Sequence, residues 1–422
     1  MERKLLLLVV LLLCAAGIQA QDFTSGYLMY SVTDADKKLV SVTGYTDELP
    51  AEAEVPATVS YEGIDYAVTA IGDFAFWNSS TLVQITIGNN VQSIGDQAFS
   101  QCGELRQITF PNGLITIGDY AFSFCPLTQV AIPESVTTIG DYAFSWCHSI
   151  TEITIPEGVT TIGEGVFWSS SGLTQITIPA SVTTIGMAVC ASCASLKEIN
   201  VAEDNQNYCS VNGVLYSKDL TLLLQYPSGR LDTAYDIPNS VTIIGDSAFD
   251  GCAALEQIAI GNSVAIINKY AFSYCEALKQ ITLPEGVTTI GNGAFSNCSA
   301  FEQITVLTST PPTLEDTEMF PFNGVDNAIP VIVPDGSLEA YRASGWSYFT
   351  NMRTESGSSV QQPTLVEGVR YADGQLLNPQ RLLVSVYDLT GRLVYRGNDS
   401  ARAFLGGVYI VSYGRTTEKM VF

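Results

Sequence analysis

The chain has 422 residues, enough for two or three domains, and carries 19 basic against 43 acidic side chains, a formal charge of −24. A surface this negative repels phosphate backbones and anionic lipid, which argues against nucleic acid as a partner. The one histidine, His148, rules out His-rich zinc sites and leaves any Ser-His-Asp or Cys-His arrangement dependent on that residue alone.

Residues 1–20 read as a secretory signal peptide. Glu2, Arg3 and Lys4 form a short charged start, Leu5 to Leu13 is unbroken apolar sequence, and Ala20 offers a small residue for cleavage. Leu13 is bulky where lipidation at Cys14 wants a small residue. No other segment supplies the roughly 20 apolar residues of a membrane helix, so no span is expected after cleavage.

From about residue 67 to residue 306 one unit recurs: L-x-x-I-T-I-P-x-x-V-T-x-I-G-x-x-A-F-x-x-C. The Ile before Gly falls at Ile71, Ile94, Ile117, Ile139, Ile162, Ile185, Ile244 and Ile290, and Ile267 precedes Asn268 in the same frame. Alternation in "ITI" predicts a half-buried strand that Pro or Gly ends. "VTTI" predicts a second short extended piece. Gly then permits a bend, and "DYAFSWC" has helix-like spacing with Asp as its N-cap. One unit cannot bury its apolar side alone, so the units stack into a mainly β solenoid with one continuous core. Ile85, Ile108, Val130, Ile153 and Ile176 fill the strand side, and Phe76, Phe99, Phe122, Phe144 and Phe167 stand behind them.

Seven units close on Cys: Cys102, Cys125, Cys147, Cys193, Cys252, Cys275 and Cys298. Small thiols are among the most buried side chains. Ser79 and Ser170 replace Cys in two units, so the position wants small size rather than a metal ligand. Stacked coils bring the Cα atoms to roughly 5 Å with parallel Cβ vectors, which disfavours disulfides. The "CASC" of Cys190 to Cys193 has redox-motif spacing, but Cys190 occupies the Phe position and Cys193 the ordinary row. Free buried thiols are the expectation.

These residues identify the unit as similar to the BspA-like leucine-rich repeat of bacterial surface proteins. The resemblance implies a solenoid with end caps. Residues 21–66 resemble the opening β cap, residues 307–353 the closing cap, and a stretch at about 200–237 a hairpin insertion between coils. "TESGSSVQQPT", residues 354–364, reads as a polar linker. Residues 365–422 alternate in "LVSVYDL" and "VYIVSY", which predicts a small β-sandwich. That segment resembles the C-terminal sorting domain of type IX secretion in the Bacteroidota. The matching positions are Tyr387, Asp388, Gly391, Gly407, Val408, Tyr409 and Lys419. It implies contact with secretion machinery and a place at, or beyond, the outer surface of a Gram-negative cell.

No catalytic constellation emerges, and neither a metal nor a cofactor is expected. Glu134, Glu157 and Glu285 recur in one row, and Asp96, Asp119, Asp141 and Asp246 in another. A ladder gives each carboxylate the same environment, whereas acid–base work needs two different ones. Binding is better supported. Thr86, Thr109, Thr154, Thr177, Thr282 and Thr305 line the exposed strand face beside a row of Gln. In the helix-like segment, Tyr120 with Phe124 and Tyr142 with Trp146 are i, i+4 pairs, and Trp168 follows on the next coil. An exposed cluster of these five marks a contact site for protein or sugar. The expected function is therefore a non-catalytic secreted or surface binding protein. The resemblance implies an adhesin for host or matrix proteins or for other bacteria. A carbohydrate-binding protein of an uptake system and a structural envelope protein are the alternatives.

Overall fold

The computed structural model describes residues 22–355 and, beyond them, strands at 370–372, 375–377, 384–387, 393–397, 401–403, 408–413 and 416–421. The expected signal segment and most of the linker, together with Asp388, Gly391 and Gly407, lie outside the described residues. The chain divides into two compact units, one up to Thr354 and one from Glu355. In the second unit the strands form antiparallel sheets of three and four strands, and Tyr387, Val408, Tyr409 and Lys419 lie on the four-stranded one.

The first unit is a β-solenoid of about 12 turns with coils of roughly 23 residues. Its repeated strands are parallel and in register from coil to coil. Gln84 pairs Gln107 and Ile85 pairs Ile108 on one face, while Thr116–Ile117 and Thr138–Ile139 pair on the other. The residue pattern explains the register. Ile at alternate strand positions is buried and the Thr and Gln between them face outward, so a one-residue slip would turn the apolar set to water. Outward Thr hydroxyls also cap carbonyls of the preceding coil, as Thr160 does for Thr137.

The segment after each Gly is a run of turns, not the helix its spacing suggested. The Ala121, Ser123 and Cys125 amides donate three residues back, to Gly118, Tyr120 and Phe122. The Tyr120, Phe122 and Phe124 amides donate across to Asp141, Ala143 and Ser145 of the next coil. Alternate amides thus serve the turn and the neighbouring coil, which accounts for every donor without an α-helical ladder. The geometry holds two residues per coil at positive φ, including Tyr120 (55°), Phe124 (62°), Tyr142 (55°) and Trp146 (58°). Gly165, Gly251, Gly293, Asn78 and Asn297 occupy the same two columns in other coils. Gly and Asn tolerate that conformation, and their recurrence there was the sequence signal against a helix.

Asp is likewise not an N-cap. Asp96 Oδ1 accepts the Asp119 amide at 2.8 Å, Asp119 Oδ1 the Asp141 amide at 2.7 Å, and Asp141 Oδ1 the Glu164 amide at 2.7 Å. The ladder and the backbone of the coil below together crowd the adjacent Gly, and at Gly291 the backbone alone does so, with Lys269 N 2.5 Å from a Cβ there. A Cβ on Gly140 would lie 2.5 Å from Asp119 Oδ1 and 2.6 Å from the Gly118 carbonyl carbon. Close approach, not a bend, is what Gly supplies there.

The Cys row is buried and its thiols are free. Six of the seven are more than fillers. Cys102, Cys125, Cys147, Cys193, Cys275 and Cys298 donate to the carbonyls of Phe76, Phe99, Phe122, Phe167, Phe249 and Phe272, one coil back, at 3.0–3.2 Å. Ser170 does the same to Phe144 at 2.8 Å. The position therefore takes a small side chain that in most coils donates back, and Ser170 fits both demands while Ser79 meets only the demand for size. Burial pushes the Cys147 and Cys298 thiols up to about 12, so these sulfurs stay protonated.

The core is not continuous. Phe rings stack from Phe76 through Phe99, Phe122 and Phe144 to Phe167, with centroids 4.9–6.0 Å apart. The stack lapses at Cys190 and resumes from Tyr226 through Phe249, Phe272 and Phe295 to Phe322. Between the two runs the insertion contributes the expected hairpin, Tyr208–Val211 with Val214–Ser217, and a third antiparallel strand, Leu222–Gln225. Leu215 and Leu224 join the first core, while Val214, Tyr216, Leu223 and Tyr226 join the second. Alternate residues of one small sheet thus face two half-solenoids, and strands covered on both sides read as unbroken apolar runs.

Both caps continue the solenoid's own sheets. Glu52–Val55 pairs Gln84–Ile87, and at the other end Pro330–Val333 and then Asn351–Thr354 extend the strand face. Trp346 closes the last core, its indole N–H donating to the Pro312 carbonyl at 3.0 Å. Capping in this way removes exposed core and unpaired edges together.

Candidate binding surface

The two positive-φ columns point outward along the turn face. In the coils that start at Gly118 and Gly140 both columns are aromatic. Tyr120 stacks on Tyr142 at 4.9 Å and 11°, and Phe124 stacks on Trp146 at 5.3 Å and 11°. The partners are thus one coil apart rather than i, i+4 neighbours, because the segment is not a helix. Trp168 closes the group edge-on, 5.7 Å from Tyr142 and 6.2 Å from Trp146. All five residues of the expected cluster come together, and Tyr120, Phe124 and Trp146 keep 40%, 49% and 36% of their surface in water.

This arrangement runs against local backbone preference. A bulky L-residue in the left-handed region costs about 1–2 kcal/mol relative to its ordinary conformation. Other coils place Gly, Asn, Ser, Ala or Gln in these columns, and Phe74, Tyr270 and Tyr274 stand there as well. Here four aromatics stand there, and at Tyr120, Phe124 and Trp146, which remain exposed, burial repays little of the strain.

Carboxylates border the rings. The Tyr142 hydroxyl donates to Glu164 Oε1 at 2.7 Å. Burial and that acceptor push the Tyr142 hydroxyl up. Burial, then the charges of Asp141, Glu164 and Asp119, push the Tyr120 hydroxyl up. Burial also raises the Asp119 carboxyl, against the amide it accepts from Asp141. His148 rests edge-on against Trp146 at 5.5 Å, with Nδ1 3.0 Å from Ser171 Oγ.

Beside the patch, Ser192 ties the first half-solenoid to the second: its Oγ donates to Asp250, a buried carboxylate, at 2.5 Å. Sequence reasoning missed Asp250. The visible signal was an acid in a column that holds Ser at Ser100, Ser123, Ser145, Ser273 and Ser296. The outward rows of the strand face, Thr109, Thr154, Thr177 and Thr282, lie exposed on the other face. Among the described residues no cluster of three or more His, Cys, Asp or Glu is placed to hold a metal ion.

A family model described as the BspA type leucine-rich repeat region matches six copies over residues 68–208 and 232–338, more than half of the chain. Solved structures share the fold. The pneumococcal vaccine antigen PcpA aligns at 21% identity and a TM-score of 0.63, covering 79% of this chain and 97% of that one. A leucine-rich cell surface protein of Faecalibacterium prausnitzii aligns at 28% identity and 0.53, covering 80% and 95%. A leucine-rich repeat protein of Eubacterium ventriosum aligns at 25% and 0.52, covering 76% and 80%. No curated protein matches the chain.

Proposed function

The chain belongs to the BspA-type leucine-rich repeat family, and from that membership we propose a non-catalytic binding protein of the bacterial cell surface that captures an extracellular macromolecule through its aromatic patch. The observation that carries this reading is the strained stack of Tyr120, Tyr142, Phe124 and Trp146, three of whose four rings stand exposed. Strain without burial is retained where the side chains meet something else. The description of the Faecalibacterium prausnitzii relative as a cell surface protein supports the location. The expected adhesin role, toward host or matrix proteins or neighbouring bacteria, is the biological form of the same proposal. Delivery by type IX secretion is its second part, supported by the strand-borne Tyr387, Val408, Tyr409 and Lys419 of the resemblance.

One whole-cell experiment tests both parts. Cells displaying the protein adhere to immobilised matrix proteins. The double substitution Tyr142→Ala and Trp146→Ala abolishes adhesion while antibody staining of intact cells stays normal. Deletion of residues 365–422 abolishes adhesion and staining together. Full adhesion by the double variant overturns the patch, and normal staining of the truncated protein overturns the sorting role.

A further inference from the structure

The chemical class of the partner follows from what surrounds the rings. We propose that the patch takes a cationic polypeptide segment, one that lays Lys or Arg stems along the aromatic rims and places their charged heads on the flanking carboxylates. This rests on the patch being the binding surface.

Three observations carry it. First, Asp96, Asp119, Asp141 and Glu164 form a continuous ladder one residue before the Tyr column, one carboxylate per coil. Their charges are felt at the rings, because Asp141, Glu164 and Asp119 all act on the Tyr120 hydroxyl. Second, the ladder lacks counter-charges. Among the described residues, none of Asp96, Asp119 and Asp141 lies within ion-pair distance of Lys or Arg. Only at the far end does Lys269 come within 4.0 Å of Glu164, and it is closer to Asp246, at 3.5 Å. An anionic partner would meet unshielded repulsion, whereas a cationic one supplies the missing charges.

Third, the rings are stacked on one another, 4.9 and 5.3 Å apart and within 11° of parallel. Their inner faces are therefore occupied, and rims are what they offer. A pyranose binds best on an open ring face. The long apolar stem of Lys or Arg packs along rims and keeps its head free for a carboxylate. The coil repeat brings successive carboxylates about 4.7–4.9 Å apart, so an extended segment running along the solenoid axis meets a new acid at every coil.

The substitutions that test this leave the fold's hydrogen bonds in place. Asn at 119 and 141 keeps an Oδ1 acceptor for the next coil's amide, and Gln at 164 keeps an acceptor for Tyr142. The probes are two synthetic 12-residue peptides of alternating Leu and Lys or Leu and Glu, titrated against the purified full chain by calorimetry. The Lys peptide binds and the Glu peptide does not, and raising salt from 50 to 300 mM weakens the complex. The D119N/D141N/E164Q variant binds the Lys peptide about tenfold more weakly at low salt. Neutralising three acids elsewhere, E48Q/E203Q/D204N, changes it less than twofold. Equal loss in the two triple variants means diffuse attraction to a negative protein and overturns the assignment, as does unchanged binding in both. If D119N/D141N/E164Q cells still adhere fully while Tyr142→Ala with Trp146→Ala cells do not, the patch stands and the cationic class falls.

Discussion

The two half-solenoids are built from one module yet differ where they face water. Inside, they agree: Phe144 and Phe272 stack on their coil neighbours in the same way, and Cys147 and Cys275 donate to the same kind of carbonyl. Outside, the first half carries the acid ladder and the double aromatic stack. The second half breaks the ladder at Lys269 and offers Ser247, Tyr270 and Gly293, then Gly251, Tyr274 and Asn297, in the corresponding columns. An inner residue is fixed by the coil above and the coil below at once. An outer side chain has no core above and below to fit, only its φ and its own coil neighbours, so the outer columns are free to become a binding surface.

The largest effect should come from the interior and should show whether the halves are separate. Phe144→Ala and Phe272→Ala each remove a fully buried ring, at a cost of about 3–5 kcal/mol. With the core split by the insertion, each variant should lose hydrogen-exchange protection mainly in its own half. Equal loss in both halves would make the insertion a coupler rather than a divider.

A middle-sized effect sharpens the ladder. Gly140→Ala drives a Cβ into Asp119 Oδ1 and the Gly118–Asp119 backbone, which should cost about 1–3 kcal/mol. The second half already has Asn268 in that column, where Asp246 turns to Lys269 instead of a coil amide. Asn268→Gly should therefore change the midpoint of urea unfolding by less than about 1 kcal/mol in free energy. A comparable loss in both would show that Gly answers to coil spacing alone and not to the Asp ladder.

Most of this architecture was legible before any coordinates. Ile and Phe at fixed spacing forced a stacked β core, and the interchange of Cys and Ser in one column marked it as structural. One element was misjudged and one was larger than expected, for a shared reason. The turn segment has the spacing of a helix, since aromatics four apart share a face there, but Gly165, Gly251, Gly293, Asn78 and Asn297 in the same columns signal positive φ. The insertion's apolar "VLYS" and "LLLQ" fit a hairpin as well as a sheet covered on both sides. In each case local pattern left the backbone undecided, and contacts from the next coil settled it. The five aromatics expected to cluster do come together, but by stacking from coil to coil rather than along a helix face.

The smallest effect bears most directly on that patch, and it has opposite signs in the two halves. Tyr274 sits at φ 54° and is 51% exposed, with Asn297 in the same column one coil on. Tyr274→Asn should relieve left-handed strain while losing little contact, and so raise stability by about 0.5–1 kcal/mol. Tyr142→Asn relieves the same strain but forfeits the stack on Tyr120 and the hydroxyl bond to Glu164. Those are worth about 0.5–1.5 and about 1 kcal/mol, so this variant should be neutral or less stable. Thermal melts at matched pH compare the two. If both substitutions stabilise equally, the stack contributes nothing to folding, and retention of Tyr142 would then rest wholly on a partner. If both destabilise, the left-handed columns are not strained, and the case for the patch loses the observation it was built on.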